Sequence, residues 1–135
     1  MIYLDTSFVG LIFLSQEHAQ EANQILHDLG KDNFFASSRL LEVELTRLMR
    51  RNGLALDDVN EYLRELYLLP FDDAVVERAC ALTGSLKSLD AIHLATALTI
   101  DSPRDPVTFL THDARLLAEA KRLGLNTLPL TGDVC

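Results

Sequence analysis

Only two cysteines occur in the 135 residues, Cys80 and Cys135, which makes neither a disulfide framework nor the paired spacing of a zinc ribbon. Two reduced thiols in a cytoplasmic protein are the expectation. Long apolar runs are missing too: the longest, residues 8–14, falls far short of the roughly 20 residues that span a bilayer. No basic stretch precedes the apolar N-terminus, so neither export nor membrane insertion is expected. Basic charge is the third shortage. Twelve Lys and Arg stand against twenty Asp and Glu, a net charge of −8, which argues against gripping nucleic acid by bulk charge and suits a basic partner or bound cations.

Repeats, low-complexity tracts and linkers are also absent, and 48% of the residues are hydrophobic. One compact domain over residues 1–135 is therefore expected, with a core that needs no staple. Short apolar runs at residues 2–4, 34–36, 69–71, 107–111 and 128–130 read as strands. Between them, helical patterns run over about 7–14, 18–29 with a left-handed cap at Gly30, a helix capped by Ser37 or Ser38 that stops at Asn52-Gly53, and 57–68. Further helices are expected from an Asp72 or Asp73 cap to Ala81, from a Ser88 cap through LDAIHLATAL, and over 113–123 up to Gly124. Such alternation predicts an α/β fold: a short-stranded parallel sheet covered on both faces, a three-layer α/β/α sandwich.

In open parallel sheets, ligands sit beyond the carboxyl ends of the strands, so acids placed there converge from remote parts of the chain. Asp5 ends the first run, in YLDTS, and Asp113 follows the fourth. Asp90 falls in the first turn of its helix, and Glu44 lies about two turns into another, on the side that carries Leu41 and Leu48. Taken singly, each has an ordinary explanation. Asp90 and Asp113 suit helix caps, Asp5 suits a turn, and Glu44 suits pairing with Arg47 or Arg51. Clustered together without basic partners they would repel one another, and a hard divalent cation, Mg²⁺ or Mn²⁺, relieves that best. Such an ion makes hydroxide from water and stabilises the leaving oxygen of a phosphodiester. Histidine ligands are the competitor, but His93 and His112 form no tight cluster. His93 reads as a packed or hydrogen-bonded helix residue and His112 as exposed.

YLDTS, SSRLLEVELTRLMRR, LDAIHLATAL and FLTHDARLLAEAKRLGL, in that order and spacing, resemble the motifs of PIN-domain ribonucleases, in particular VapC-type toxins of toxin–antitoxin pairs. The resemblance spans essentially the whole chain. It implies an acidic site of Asp5, Glu44, Asp90 and Asp113 that holds Mg²⁺ or Mn²⁺, and cleavage of single-stranded regions of RNA. Thr6 and Thr111 match the small polar positions that assist through hydroxyls. Glu42 is the alternative to Glu44, which is preferred because it directly precedes a leucine. Asp113 is followed by Ala114 and Arg115 where family members often bring a second acid, which puts a second metal in question.

The resemblance also implies a cognate antitoxin, whose neutralising segment suits the −8 charge, and a homodimer. Arg47, Arg50 and Arg51 share a helix edge near Glu44 where phosphates could be met, or form a solvated face with internal ion pairs. Two other classes compete. A phosphoryl-transfer protein would use Asp5 as nucleophile, but its second acid is missing at Ser7 and the final LPLTG lacks its lysine. The other is a catalytically inactive PIN-like module that only engages a protein partner.

Overall fold

Alternation along one three-residue strand sorts the core into two halves. The computed structural model describes residues 1–15 and 17–128. In β1 (Ile2–Leu4), successive side chains point to opposite faces: Ile2 and Leu4 pack into one apolar cluster and Tyr3 into the other. Leu110 and Phe109 of β4 (Thr108–Leu110) divide in the same way. Both faces are covered, so the fully buried positions of these strands are apolar on both faces.

The sheet is parallel, in the order β3-β2-β1-β4-β5, with β2 (Phe35–Ser38), β3 (Tyr67–Leu69) and β5 (Asn126–Thr127) completing it. From β1 the chain moves one way to β3, then jumps back past β1 to β4 and β5. Right-handed crossovers in opposite directions put their helices on opposite faces. Accordingly α1 (Thr6–Phe13), α2 (Ala19–Leu29), α3 (Arg39–Arg51) and α4 (Asp57–Arg64) pack on the Ile2/Leu4 face. Leu94 of α6 (Ser88–Ile100) and Leu116 of α7 (Ala114–Arg122) pack against Tyr3 and Phe109, and α5 (Asp73–Ala81) lies along α6. This is the expected three-layer α/β/α sandwich.

Several boundaries differ from expectation, each for a local reason. The third strand occupies Tyr67–Leu69 rather than 69–71, and α4 stops at Arg64 rather than near 68. Pro70 lacks the N–H a ladder needs and keeps its predecessor extended, so the strand must end at Leu69. Phe71 is left exposed. β2 runs on to Ser38 because Ser37 and Ser38 pair with Leu68 and Leu69; only Ser38 caps α3, while Ser37 donates its hydroxyl to the Leu4 carbonyl at 2.6 Å. Ser88 is the first helical residue of α6 and not its cap, which is Lys87 without a side-chain bond. The last strand is at Asn126–Thr127; of the expected 128–130, residues 129 and 130 lie outside the described residues, as does Cys135.

Two glycines show different needs. Gly124 closes α7 at φ +90°, where a side chain would be strained. Gly30 is right-handed (φ −64°), contrary to the left-handed cap expected there. A Cβ at that position would come within 3.3 Å of the Phe35 ring, so close approach is what glycine provides.

Candidate active site

β1 and β4 are neighbours from which the chain departs in opposite directions, and that switch point leaves a crevice beyond their carboxyl ends. Asp5, one residue past β1, is 3% exposed and caps α1. Its Oδ2 accepts the Ser7 hydroxyl at 2.6 Å, the Ser7 amide at 3.3 Å and the Thr111 hydroxyl, one residue past β4, at 2.8 Å. The same hydroxyls accept the next turn's amides: His112 N–H reaches Ser7 Oγ at 2.9 Å, and Asp113 N–H reaches Thr111 Oγ1 at 3.1 Å. Asp5 and the β4–α7 turn are thus tied through two hydroxyls. Ser7 was not singled out from the sequence, although it stands beside the acid in the DTS triplet.

Glu44 approaches from α3 on the second wall. Its Oε1 accepts the Thr6 hydroxyl at 2.6 Å and faces His93 Nε2 at 2.7 Å. Burial by itself would raise the Glu44 carboxyl, but the bonds from His93 and Thr6 outweigh it and hold the group below the ordinary range. His93 is 1% exposed, its Nε2 lies 3.8 Å from Asp5 Oδ1, and its Nδ1 lies 2.8 Å from the Tyr3 hydroxyl. It is hydrogen-bonded and packed, as expected, but its partners belong to the acid centre, which the sequence reading did not foresee. The spacing of Asp90 and His93, three apart on one helix, was the available signal.

Asp90 and Asp113 form the outer wall. Asp113 caps α7, its Oδ1 accepting the amides of Arg115 at 2.9 Å and Leu116 at 3.1 Å. Asp90, half-buried in the first turn of α6, has no hydrogen-bond donor or cation partner among the described residues. Its carboxyl is raised by burial and by the negative charges of Asp5 and Asp113, then Glu44, with His93 offsetting part. Remote parts of the chain therefore bring Asp5, Glu44 and Asp113 within electrostatic reach of Asp90. Among the described residues, no three acid, histidine or cysteine side chains close around one point tightly enough to hold an ion as they stand.

The remaining candidates lie outside this cluster. Glu42 pairs with Arg39 at 3.3 Å on the outside of α3. Arg47, Arg50 and Arg51 are exposed and, among the described residues, make no ion pair with Glu44 or any other acid. His112 is half-buried rather than exposed, because its amide is held at Ser7 and its ring meets His18 with centroids 5.9 Å apart. The donors available to a metal are hard carboxylate oxygens carrying uncompensated charge. Asp90, raised by its neighbours and without a donor, is the clearest sign that the set suits Mg²⁺ or Mn²⁺.

Residues 2–123 match the PIN domain family model. The chain is similar to Ribonuclease VapC47 of Mycobacterium tuberculosis (strain CDC 1551 / Oshkosh), 34% identical over 131 residues that cover 94% of this chain and 95% of that protein. Ribonuclease VapC35 of the same strain is 37% identical over 128 residues, 93% of each. Among solved structures, a toxin-antitoxin complex from Klebsiella pneumoniae has a similar fold (TM-score 0.68, 22% identity, covering 87% of this chain and 91% of that one). So does VapBC2 from Rickettsia felis bound to a DNA fragment from their promoter (TM-score 0.68, 19% identity, 96% and 99%).

Proposed function

The chain belongs to the PIN-domain family, and on that premise we propose that it is a metal-dependent endoribonuclease cutting single-stranded regions of RNA, the toxin of a toxin–antitoxin pair. The observation that carries the reading is the state of Asp90: a carboxyl pushed up by burial and by Asp5, Asp113 and Glu44, which His93 offsets only in part and which has no salt-bridge partner among the described residues. A carboxyl so placed weakens the fold unless a cation joins it, which marks a functional-site candidate rather than a structural ion pair.

Asp5, Asp90 and Asp113 would hold Mg²⁺ or Mn²⁺, with Glu44 a ligand directly or through water. When bound, the ion supplies an activated water and neutralises charge on the phosphodiester. Thr111 and Ser7 orient Asp5, and Thr6 orients Glu44. Arg47, Arg50 and Arg51, without an ion pair among the described residues, meet phosphates of the RNA and steer it. One domain over residues 1–135 carries this activity in the cytoplasm; among the described residues no helix is long and apolar enough to cross a membrane. A cognate antitoxin with a basic segment covers the acidic crevice, in keeping with the net charge of −8. A second copy of the chain pairs with the first, and the exposed Phe71 and Val76, which line the α5–α6 groove, supply an apolar face for it.

The test uses the full chain purified free of antitoxin and incubated with structured RNA and Mg²⁺ or Mn²⁺. Cleavage that EDTA stops, and that Asp90→Asn abolishes while leaving the fold intact, supports the reading. An Asp90→Asn variant that cuts at the parent's rate sinks it. A parent that binds RNA or antitoxin but never cuts is a binding module instead.

A further inference from the structure

Behind Glu44 lies a buried chain of polar groups, Tyr3 to His93 to Glu44, in which residues 90 positions apart in sequence meet at 2.8 Å. We propose that Tyr3 and His93 are positioning residues: Tyr3 fixes which imidazole nitrogen carries the hydrogen, and His93 thereby holds Glu44 by Oε1 and leaves Oε2 as the oxygen that would be available to an ion. The proposal rests on the nuclease reading of the site and deepens it.

The hydrogen count carries the argument. His93 Nε2 faces two oxygens, Glu44 Oε1 at 2.7 Å and Thr6 Oγ1 at 3.1 Å, and the Thr6 hydrogen already goes to Glu44. Both oxygens present lone pairs, so Nε2 must carry a hydrogen. In the neutral imidazole Nδ1 is then the acceptor and the Tyr3 hydroxyl its donor. The nearby hydroxyls cannot take that donor role, because Ser37 gives its hydrogen to the Leu4 carbonyl and Thr96 gives its own to the Ile92 carbonyl. Burial pushes the Tyr3 phenol up, so its hydrogen is always present. The ring cannot swing away: it stacks on Phe109 with centroids 5.3 Å apart and planes 5° from parallel.

The arrangement has a chemical logic that a lysine at the same place would lack. An imidazole N–H stands between Glu44 and, at 3.8 Å, Asp5 Oδ1, easing two carboxylates into one crevice. The hydrogen bonds from Thr6 and His93 both go to Glu44 Oε1, and among the described residues Oε2 has no donor. Outer groups of this kind orient metal ligands and commonly govern affinity by about ten- to hundredfold.

Two conservative substitutions separate the roles of the two nitrogens. The amide NH₂ of glutamine reaches the place of Nε2, whereas asparagine reaches only that of Nδ1. On metal-free protein, His93→Gln should keep Mn²⁺ affinity within a few-fold of the parent, and His93→Asn should weaken it about ten- to hundredfold. A residue that merely fills space would lose equally in both, and equal affinities overturn the proposal. Should the asparagine variant fail to fold, long-range ¹⁵N–¹H spectra of the metal-free parent decide. His93, assigned by its loss in His93→Gln, should show hydrogen on Nε2 and none on Nδ1; hydrogen on Nδ1 overturns the relay. A parent that binds no Mn²⁺ at all defeats the nuclease reading instead, and the spectrum still judges the relay.

Discussion

The inner and outer walls of the acidic crevice treat their carboxylates in opposite ways. On the inner wall Asp5 accepts three hydrogen bonds and Glu44 faces two donors, so each is supported as an anion by the fold itself. On the outer wall Asp113 has one oxygen committed to its own helix amides, and Asp90 has no donor among the described residues. Glu44 accordingly sits below the ordinary carboxyl range and Asp90 above it. The difference teaches that the crevice is half prepared: carboxylates held by hydrogen-bond donors at its floor, and at its rim one, Asp90, raised by burial and its neighbours. An ion or an antitoxin's basic side chain would meet the same vacancy of charge.

The largest expected effect comes from supplying that charge. At a hundredfold excess of Mg²⁺ or Mn²⁺ over its dissociation constant, the parent should gain about 2.7 kcal/mol of stability, read as a rise in melting temperature, and Asp90→Asn should gain much less. Equal gains in both would break the distinction between the walls. Next, Thr111→Val removes a hydroxyl that donates to buried Asp5 and accepts from the Asp113 amide. A loss of about 2 kcal/mol in denaturant unfolding is expected, as for bonds to charged groups. A neutral result would mean that Asp5 does not depend on its donors.

The smallest effect sharpens the comparison through its sign. In metal-free buffer at neutral pH, Glu44→Gln should lower the melting temperature and Asp90→Asn should raise it, the latter by about 2 °C after allowing for solvent screening. Glu44, lowered in the folded state, contributes stability above its unfolded pKa that is lost as pH falls through its folded value. Asp90, raised in the folded state, costs stability in full above its folded pKa, and the cost fades as pH falls to the unfolded value. The benefit of Asp90→Asn should therefore disappear in acid. A benefit independent of pH would point to helix propensity instead.

Much of this was legible in the chain, because its signals were local. The acids after β1 and β4 follow apolar strands, and Asp113 doubles as the cap its position implied. Glu44 lies on the inward side of α3 as its spacing with Leu41 suggested, while Glu42 turns out to Arg39. Less local features were missed. β3 was misplaced by two residues because a three-residue strand carries little pattern, and only pairing with Ser37 and Ser38 sets its register. His112 became half-buried through contacts with Ser7 and His18, neither adjacent in sequence.

Strand alternation, helix stops and the order of the four acidic motifs are written in neighbouring residues, so sequence alone determined the three-layer architecture and offered the four acids as candidates. Tertiary structure alone decided how each acid is supported. Hydrogen bonds act over about 3 Å, and the groups that meet at that range, Tyr3 with His93, Thr6 with Glu44 and Thr111 with Asp5, are brought together only by the crossovers that set β1 beside β4 and lay α3 and α6 beside the crevice.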